Sequence, residues 1–251
     1  MAGHSHWAGI KHKKALIDAK RGKAWSKLAK AIIIAAQAGG GDPSQNLRLR
    51  YAIDDAKAVS MPKDNIQRAI KRGTGEIAGG PLEEVLYEGY GSGGVAILCE
   101  VLTDNRNRTA PEIRKCFEIG GGKLGATGCV AWMFDSKGMI LVDGEQTDEE
   151  TLMDLVLEAG ADDFKAEDGK FEILCAQSSF EAVKKALKEA DIKTEVSQIA
   201  RIPQNTVDIE DAKTARKVLK LMESLDDLDD IQNVSANFDI SDEIMTQVEA
   251  E

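Results

Sequence analysis

The hydrophobic period of this chain changes near residue 80, from helical throughout to strands alternating with helices, and that change limits the folds it can adopt. From Lys23 the apolar residues Trp25, Leu28, Ala29, Ile32 and Ala36 recur at i, i+3, i+4 and i+7, the spacing of one helix face. Gly39 to Gly41 end this helix. Asp42-Pro43-Ser44-Gln45 reads as the start of a second: Asp is a good N-cap, Pro fits the first helical position, and Gln three residues on resembles a capping box. Its buried face is Leu49, Ala52, Ile53 and Ala56. A third helix opens at Ser60-Met61-Pro62, buries Ile66, Ala69 and Ile70, and stops at Gly73. The glycine-rich stretch Thr74 to Pro81 reads as a linker.

Beyond it the pattern is that of strands. Glu84 to Tyr90 and Val95 to Leu102 form a hairpin, Thr109-Ala110-Pro111-Glu112 is a capping box opening a helix to Glu118, and Cys129 to Phe134 is a further strand. Met139–Val142, Asp148–Ala159, Lys165–Glu167, Phe171–Ala176, Ser179–Ala190 and Lys193–Ile202 then spell β-α-β-β-α-β, the ferredoxin-like split motif. A helix from Asp211 to Leu225 and a strand around Asn233 to Ile240 follow. The segment 82–134 lacks a closing α-β, which the end of the chain supplies. The expected fold is therefore α+β: a three-helix domain over residues 1–80, an α/β domain from 81–134 with 205–251, and an inserted ferredoxin-like domain over 135–204.

Charge divides along the same line. The net charge is −11, which on its own argues against a nucleic-acid partner. Residues 1–73, however, hold fifteen Lys/Arg against five Asp/Glu, a balance of +10, and the remainder stands at −21. Such asymmetry marks one polyanion-binding segment. Lys11, Lys13, Lys14, Lys20 and Arg21 lie in a basic arm, and Lys23, Lys27 and Lys30 form a stripe opposite the apolar face of the first helix. Arg68, Lys71 and Arg72 share a face of the third. These are the expected phosphate contacts. Phosphate contacts position without specifying, and no array of Asn, Gln and Arg reads as a base-recognition helix.

The remaining motifs carry little chemistry. Gly89-Tyr90-Gly91-Ser92-Gly93-Gly94 has dinucleotide-fingerprint spacing but runs into strand residues where that motif needs a helix, so a hairpin turn is the better reading. Gly120-Gly121-Gly122-Lys123 lacks the Ser or Thr of a phosphate loop. His4, His6 and His12 are the only histidines, with no cysteine near to complete a zinc site, and none remains for a histidine base in the body. Cys99, Cys116, Cys129 and Cys175 have no C-x-x-C spacing, and three fall in apolar runs, as reduced buried thiols of a cytoplasmic protein would. The longest apolar run, Ala31 to Ala36, is too short to span a bilayer. Asp226-Asp227 and Asp229-Asp230 read as a solvated helix end. A nuclease would need carboxylates beside the cationic track, and of Asp18, Asp42, Asp54, Asp55 and Asp64 all but Asp18 fit caps or helix surfaces. No enzyme activity, cofactor, metal, membrane or small-molecule substrate is expected. The loop Thr103-Asp104-Asn105-Arg106-Asn107-Arg108-Thr109 is open to two readings. Its guanidinium groups, Arg106 and Arg108, suit an anion at a helix N-terminus, and the same residues suit a local capping network.

Ala2 to Lys14, Asp18 to Lys23, Gly39-Gly40-Gly41-Asp42-Pro43, Met61 to Ile66, Arg68 to Gly75, Tyr87 to Gly91, Leu102 to Thr109, Ile202 to Val207, Asp229 to Val234 and Asn237 to Ile240 resemble, in order and nearly end to end, the motifs of the YebC/PmpR family. His6 stands where that family usually has Lys, and Ser92 where Pro is common. The resemblance implies three domains, one of them inserted, and a regulator acting on nucleic acid. Members are described as DNA-binding transcriptional regulators, and the related mitochondrial translational activator of cytochrome oxidase acts in translation. The expected partner is therefore DNA, with ribosomal RNA on the ribosome as the alternative.

Overall fold

The computed structural model describes residues 21–167 and 169–249, without the side chains of 21–23, 242 and 249. The first three helices are α1 (Arg21–Gly39), α2 (Leu47–Ala58) and α3 (Lys63–Gly73). Both α2 and α3 pack on α1. Ile32, Ile33, Ala35 and Ala36 of α1 meet Leu49, Ile53, Ile66 and Ile70 in one apolar core. At the α1–α3 crossing a Cβ on Gly73 would run into the Ile33 carbonyl and the Ala36 side chain, so only glycine permits this approach.

The start of α2 differs from the expectation. Asp42 accepts from the amide and hydroxyl of Ser44 (2.9 and 2.8 Å) in a separate turn. The N-cap is Asn46, whose oxygen accepts from the Leu49 amide at 3.0 Å while its nitrogen donates to the carbonyls of Ala35 and Gly40. A buried amide side chain both caps α2 and closes the end of α1, which an acceptor-only aspartate cannot do.

The rest of the chain runs β1 (Glu83–Tyr90), β2 (Ala96–Thr103), α4 (Arg106–Ile119), β3 (Lys123–Leu124), β4 (Phe134–Asp143), α5 (Glu149–Glu158), β5 (Ala161–Glu167), β6 (Lys170–Ala176), α6 (Phe180–Glu189), β7 (Thr194–Pro203), β8 (Val207–Ile209), α7 (Ala212–Asp226), β9 (Ile231–Ala236), β10 (Phe238–Ile240) and α8 (Asp242–Glu249). Trp132–Thr206 form one compact unit, and the described residues of 21–131 and 207–249 form the other. In the smaller unit the antiparallel order β5-β6-β4-β7 is that of a ferredoxin-like fold, with α5 and α6 burying Leu152, Val156, Val183 and Leu187 on the sheet. In the larger one the order is β3-β1-β2-β9, and Ile113 and Phe117 of α4 with Val218 and Leu221 of α7 cover one face. The C-terminal segment thus completes the sheet begun by residues 83–103.

Three further expectations are corrected. The strand expected over Cys129 to Phe134 begins only at Phe134, the first residue of β4: Gly128, Val130 and Ala131 donate their amides to the Glu88 carboxylate (2.6, 2.8 and 2.7 Å), and Ala131–Met133 is a 3-10 turn. α4 begins three residues before Thr109 and is capped by Asn105, whose side chain accepts from the Arg108 amide. The strand expected over 233–240 breaks at Asn237, which is buried and accepts from the Ala96 amide at 2.7 Å. The glycine hairpin stands as expected, with Gly93 and Gly94 at positive φ in its turn and no helix behind it.

Candidate nucleic-acid interface

The cations named above fall into four groups. Lys11, Lys13, Lys14 and Lys20 lie outside the described residues, as do the side chains of Arg21 and Lys23. Lys27 and Lys30 are inside the molecule's own electrostatics. Lys27 Nζ is 2.9 Å from Asp226 Oδ1 and donates to the Asp226 carbonyl at 2.7 Å. Lys30 Nζ is 2.5 Å from Asp230 Oδ1 and donates to the Asp229 carbonyl at 2.8 Å. Their side chains are only 17% and 18% exposed, so an external phosphate reaches neither amine without displacing an aspartate. Arg106 pairs with Glu83 at 2.5 Å, and Arg108 with Asp230 at 2.8 Å and Asp104 at 3.2 Å. The fourth group is open. Arg68 and Lys71 are exposed on α3 and pair with no carboxylate among the described residues, while Arg72, half-buried, approaches Asp104 at 3.6 Å.

The aspartates after α7 are therefore not a solvated helix end. Asp230 is 5% exposed and gathers Lys30, Arg108, Thr109 Oγ1 (2.5 Å) and Thr103 Oγ1 (3.1 Å). Burial alone would raise its pKa. The hydrogen bonds from Arg108, Lys30 and Thr109 outweigh that cost and hold the carboxyl far below the usual carboxylate range. α1, β2, α4 and the turn before β9 converge on this one side chain. A reciprocal amide pair between Gln37 and Leu82 (both 3.2 Å) and the burial of Leu82 and Leu102 in the helical core complete the junction.

Two carboxylates and one cationic face escaped the sequence reading. Burial would raise Glu88, but its three amide donors hold it low. Glu172 goes the other way: burial, only partly offset by Lys165 and reinforced by Asp163 and Glu167, pushes it up to about 7. The face is on α7, where Lys213, Lys217 and Lys220 are all exposed. Their i, i+4, i+7 spacing is the signal that could have found them. No disulfide joins Cys99, Cys116, Cys129 or Cys175, and burial raises the pKa of each thiol, which makes them poor nucleophiles. Among the described residues no group of His, Cys, Asp and Glu is placed to hold a metal, and no helix is long and apolar enough to cross a membrane.

Fold and interface together define a class: a basic three-helix head bound by ion pairs to an acidic α/β body that carries a ferredoxin-like insert. Residues 5–76 match the domain described as the TACO1/YebC protein N-terminal domain, and residues 82–238 that described as the TACO1/YebC second and third domain. The chain is 60% identical over 213 residues to a probable transcriptional regulatory protein of Rhodopirellula baltica, covering 84% of this chain and 86% of that one. It is 56% identical over 248 residues to a protein of the same description from Natranaerobius thermophilus, covering 98% and 99%. The crystal structure of a conserved hypothetical protein of Aquifex aeolicus aligns with a TM-score of 0.87 at 48% identity, over 96% of this chain and 99% of that one. The chain belongs to the TACO1/YebC family.

Proposed function

We propose that this protein is a non-enzymatic regulator that binds nucleic acid through its head, with DNA as the partner. The observation that carries the reading is the pair Arg68 and Lys71, exposed on α3 with no carboxylate partner among the described residues, within a segment of balance +10. Lys11, Lys13, Lys14, Lys20, Arg21 and Lys23 extend that surface by sequence. The description of the relatives as probable transcriptional regulatory proteins supports the regulatory role. The non-enzymatic reading is supported by the lack of any histidine after His12 and by the raised thiol pKa values. Full-length protein should bind a DNA duplex with a log–log salt slope steeper than about −4, as five or more phosphate contacts require, and R68A/K71A should flatten it by about 2. A near-flat slope in the parent protein sinks the proposal.

One observation favours a second reading, a translation factor on ribosomal RNA. Lys27 and Lys30 hold Asp226, Asp229 and Asp230 against the head, so carboxylates border its cationic surface. A uniform duplex would be repelled there, whereas a ribosome offers RNA and basic protein side by side. Cosedimentation with ribosomes at moderate salt, without tight binding to any discrete promoter, would decide for this reading.

A further inference from the structure

The outward face of α7 is at odds with the body that carries it. Five of the body's nine other lysines, all in the ferredoxin-like insert, are paired: Lys137 with Asp162, Lys165 with Asp163, Lys170 with Glu195, Lys184 with Glu181 and Lys185 with Glu189. On α7, Arg216 is committed to the Gln247 carbonyl at 3.1 Å. Lys213, Lys217 and Lys220 are not committed. All three are exposed and none stands within ion-pair distance of a carboxylate among the described residues; Lys213 is near enough to the helix cap Asp211 to help hold that carboxyl low. A lone surface lysine is ordinary. Three in register, unneutralised in a region of balance −21, form a local reversal of the field.

Two glycine-rich loops pack against α7 at Thr214 and Leu221. A Cβ on Gly120 would strike Leu221, one on Gly122 would strike the Tyr90 carbonyl and Leu221, and one on Gly93 would crowd Thr214. Gly91 lies beside Leu221 as well, and Gly121 beside Ser92. At ~1.5 Å rise per residue Lys213 and Lys220 lie about 10 Å apart along the axis, the reach of about three phosphates of one strand.

We propose that this face is a second nucleic-acid contact, in which Lys213, Lys217 and Lys220 meet the sugar–phosphate backbone of the polymer that the head binds. The contact is electrostatic and reads no base. It rests on the head's reading only for the identity of the polymer. The test is fluorescence anisotropy of full-length protein with a 30-base-pair DNA duplex and, in parallel, a 30-nucleotide RNA (~30 units each, well above the ~3 phosphates of the stripe). K213A/K217A/K220A should weaken binding about tenfold or more at low salt and reduce the salt slope by about 2 to 3. K213R/K217R/K220R should bind like the parent, which separates charge from helix stability. The loss should appear with the same polymer that R68A/K71A weakens. Binding within twofold of the parent and an unchanged slope for the alanine variant overturn the second contact, whatever the head variant does. If R68A/K71A changes nothing while the α7 variant loses affinity, the head's reading fails and the α7 contact stands. A loss confined to the polymer that the head does not bind overturns the assignment to a shared ligand.

Discussion

Two lysine stripes in this chain have the same spacing and opposite fates. Lys23, Lys27 and Lys30 on α1 and Lys213, Lys217 and Lys220 on α7 both run i, i+4, i+7. On α1, Lys27 and Lys30 are bound to Asp226, the last residue of α7, and Asp230, just beyond it. On α7 itself the lysines stand open. One helix therefore presents free cations on its outer face and, from its C-terminal end, supplies the anions that neutralise another. Helical periodicity shows that charges share a face. It does not show what that face meets, because the partner of Lys27 lies 199 residues away in the chain.

The comparison breaks most readily at Asp230, where the α1 stripe is anchored. Asp230→Asn would leave Lys30 and Arg108 facing a neutral amide in a buried site. The larger unit should lose about 3–5 kcal/mol in denaturant unfolding, the cost of removing one partner of a buried charge cluster. A loss below about 1 kcal/mol would mean that the junction is held by Leu82 and Leu102 alone and that the ion pairs are incidental.

Glu172 is the counter-case to Asp230: a carboxyl removed from water without enough positive charge. Its folded pKa, about 7, lies above the ordinary 4.5, so the folded state binds the proton more tightly. The stability it contributes is complete below pH 4.5 and is lost as pH rises through about 7. Glu172→Gln should leave the unfolding free energy of the smaller unit unchanged near pH 4 and raise it by up to ~3 kcal/mol at pH 8. A pH-independent difference would show that Glu172 is adequately paired. Glu88 should behave as Asp230 does on a smaller scale. Glu88→Gln turns one acceptor into a donor facing backbone amides, and a loss of about 1–3 kcal/mol is expected from the same unfolding curves.

The sequence was legible where local pattern decides the outcome. The buried faces of α2 and α3, the β-α-β-β-α-β order and the completion of the first sheet by the C-terminal segment all follow from periodicity and turn chemistry. It failed where a single polar side chain acts over distance. Asn46 displaced Asp42 as a cap because it also reaches α1. Glu88 turned an apolar run into a loop by taking two of its amides and that of Gly128 just before it. Asp230 converted an acidic tail into a junction. Each depends on a partner that no local window contains, and the ion pairs of Lys27 and Lys30 were illegible for the same reason.

The smallest effect is the sharpest test of the two stripes, because the same substitution is made in both. Lys27 is half-buried and paired with Asp226, whose side chain is 23% exposed, so screening is incomplete and Lys27→Ala should cost about 1 kcal/mol. Lys217→Ala removes an exposed charge with no ion-pair partner among the described residues and introduces a better helix former, so stability should move by less than about 0.5 kcal/mol in either direction. High salt should shrink the first difference and leave the second unchanged. Equal losses at the two sites would show that Lys217 has a structural partner after all, and the division into a closed stripe and an open one would fall.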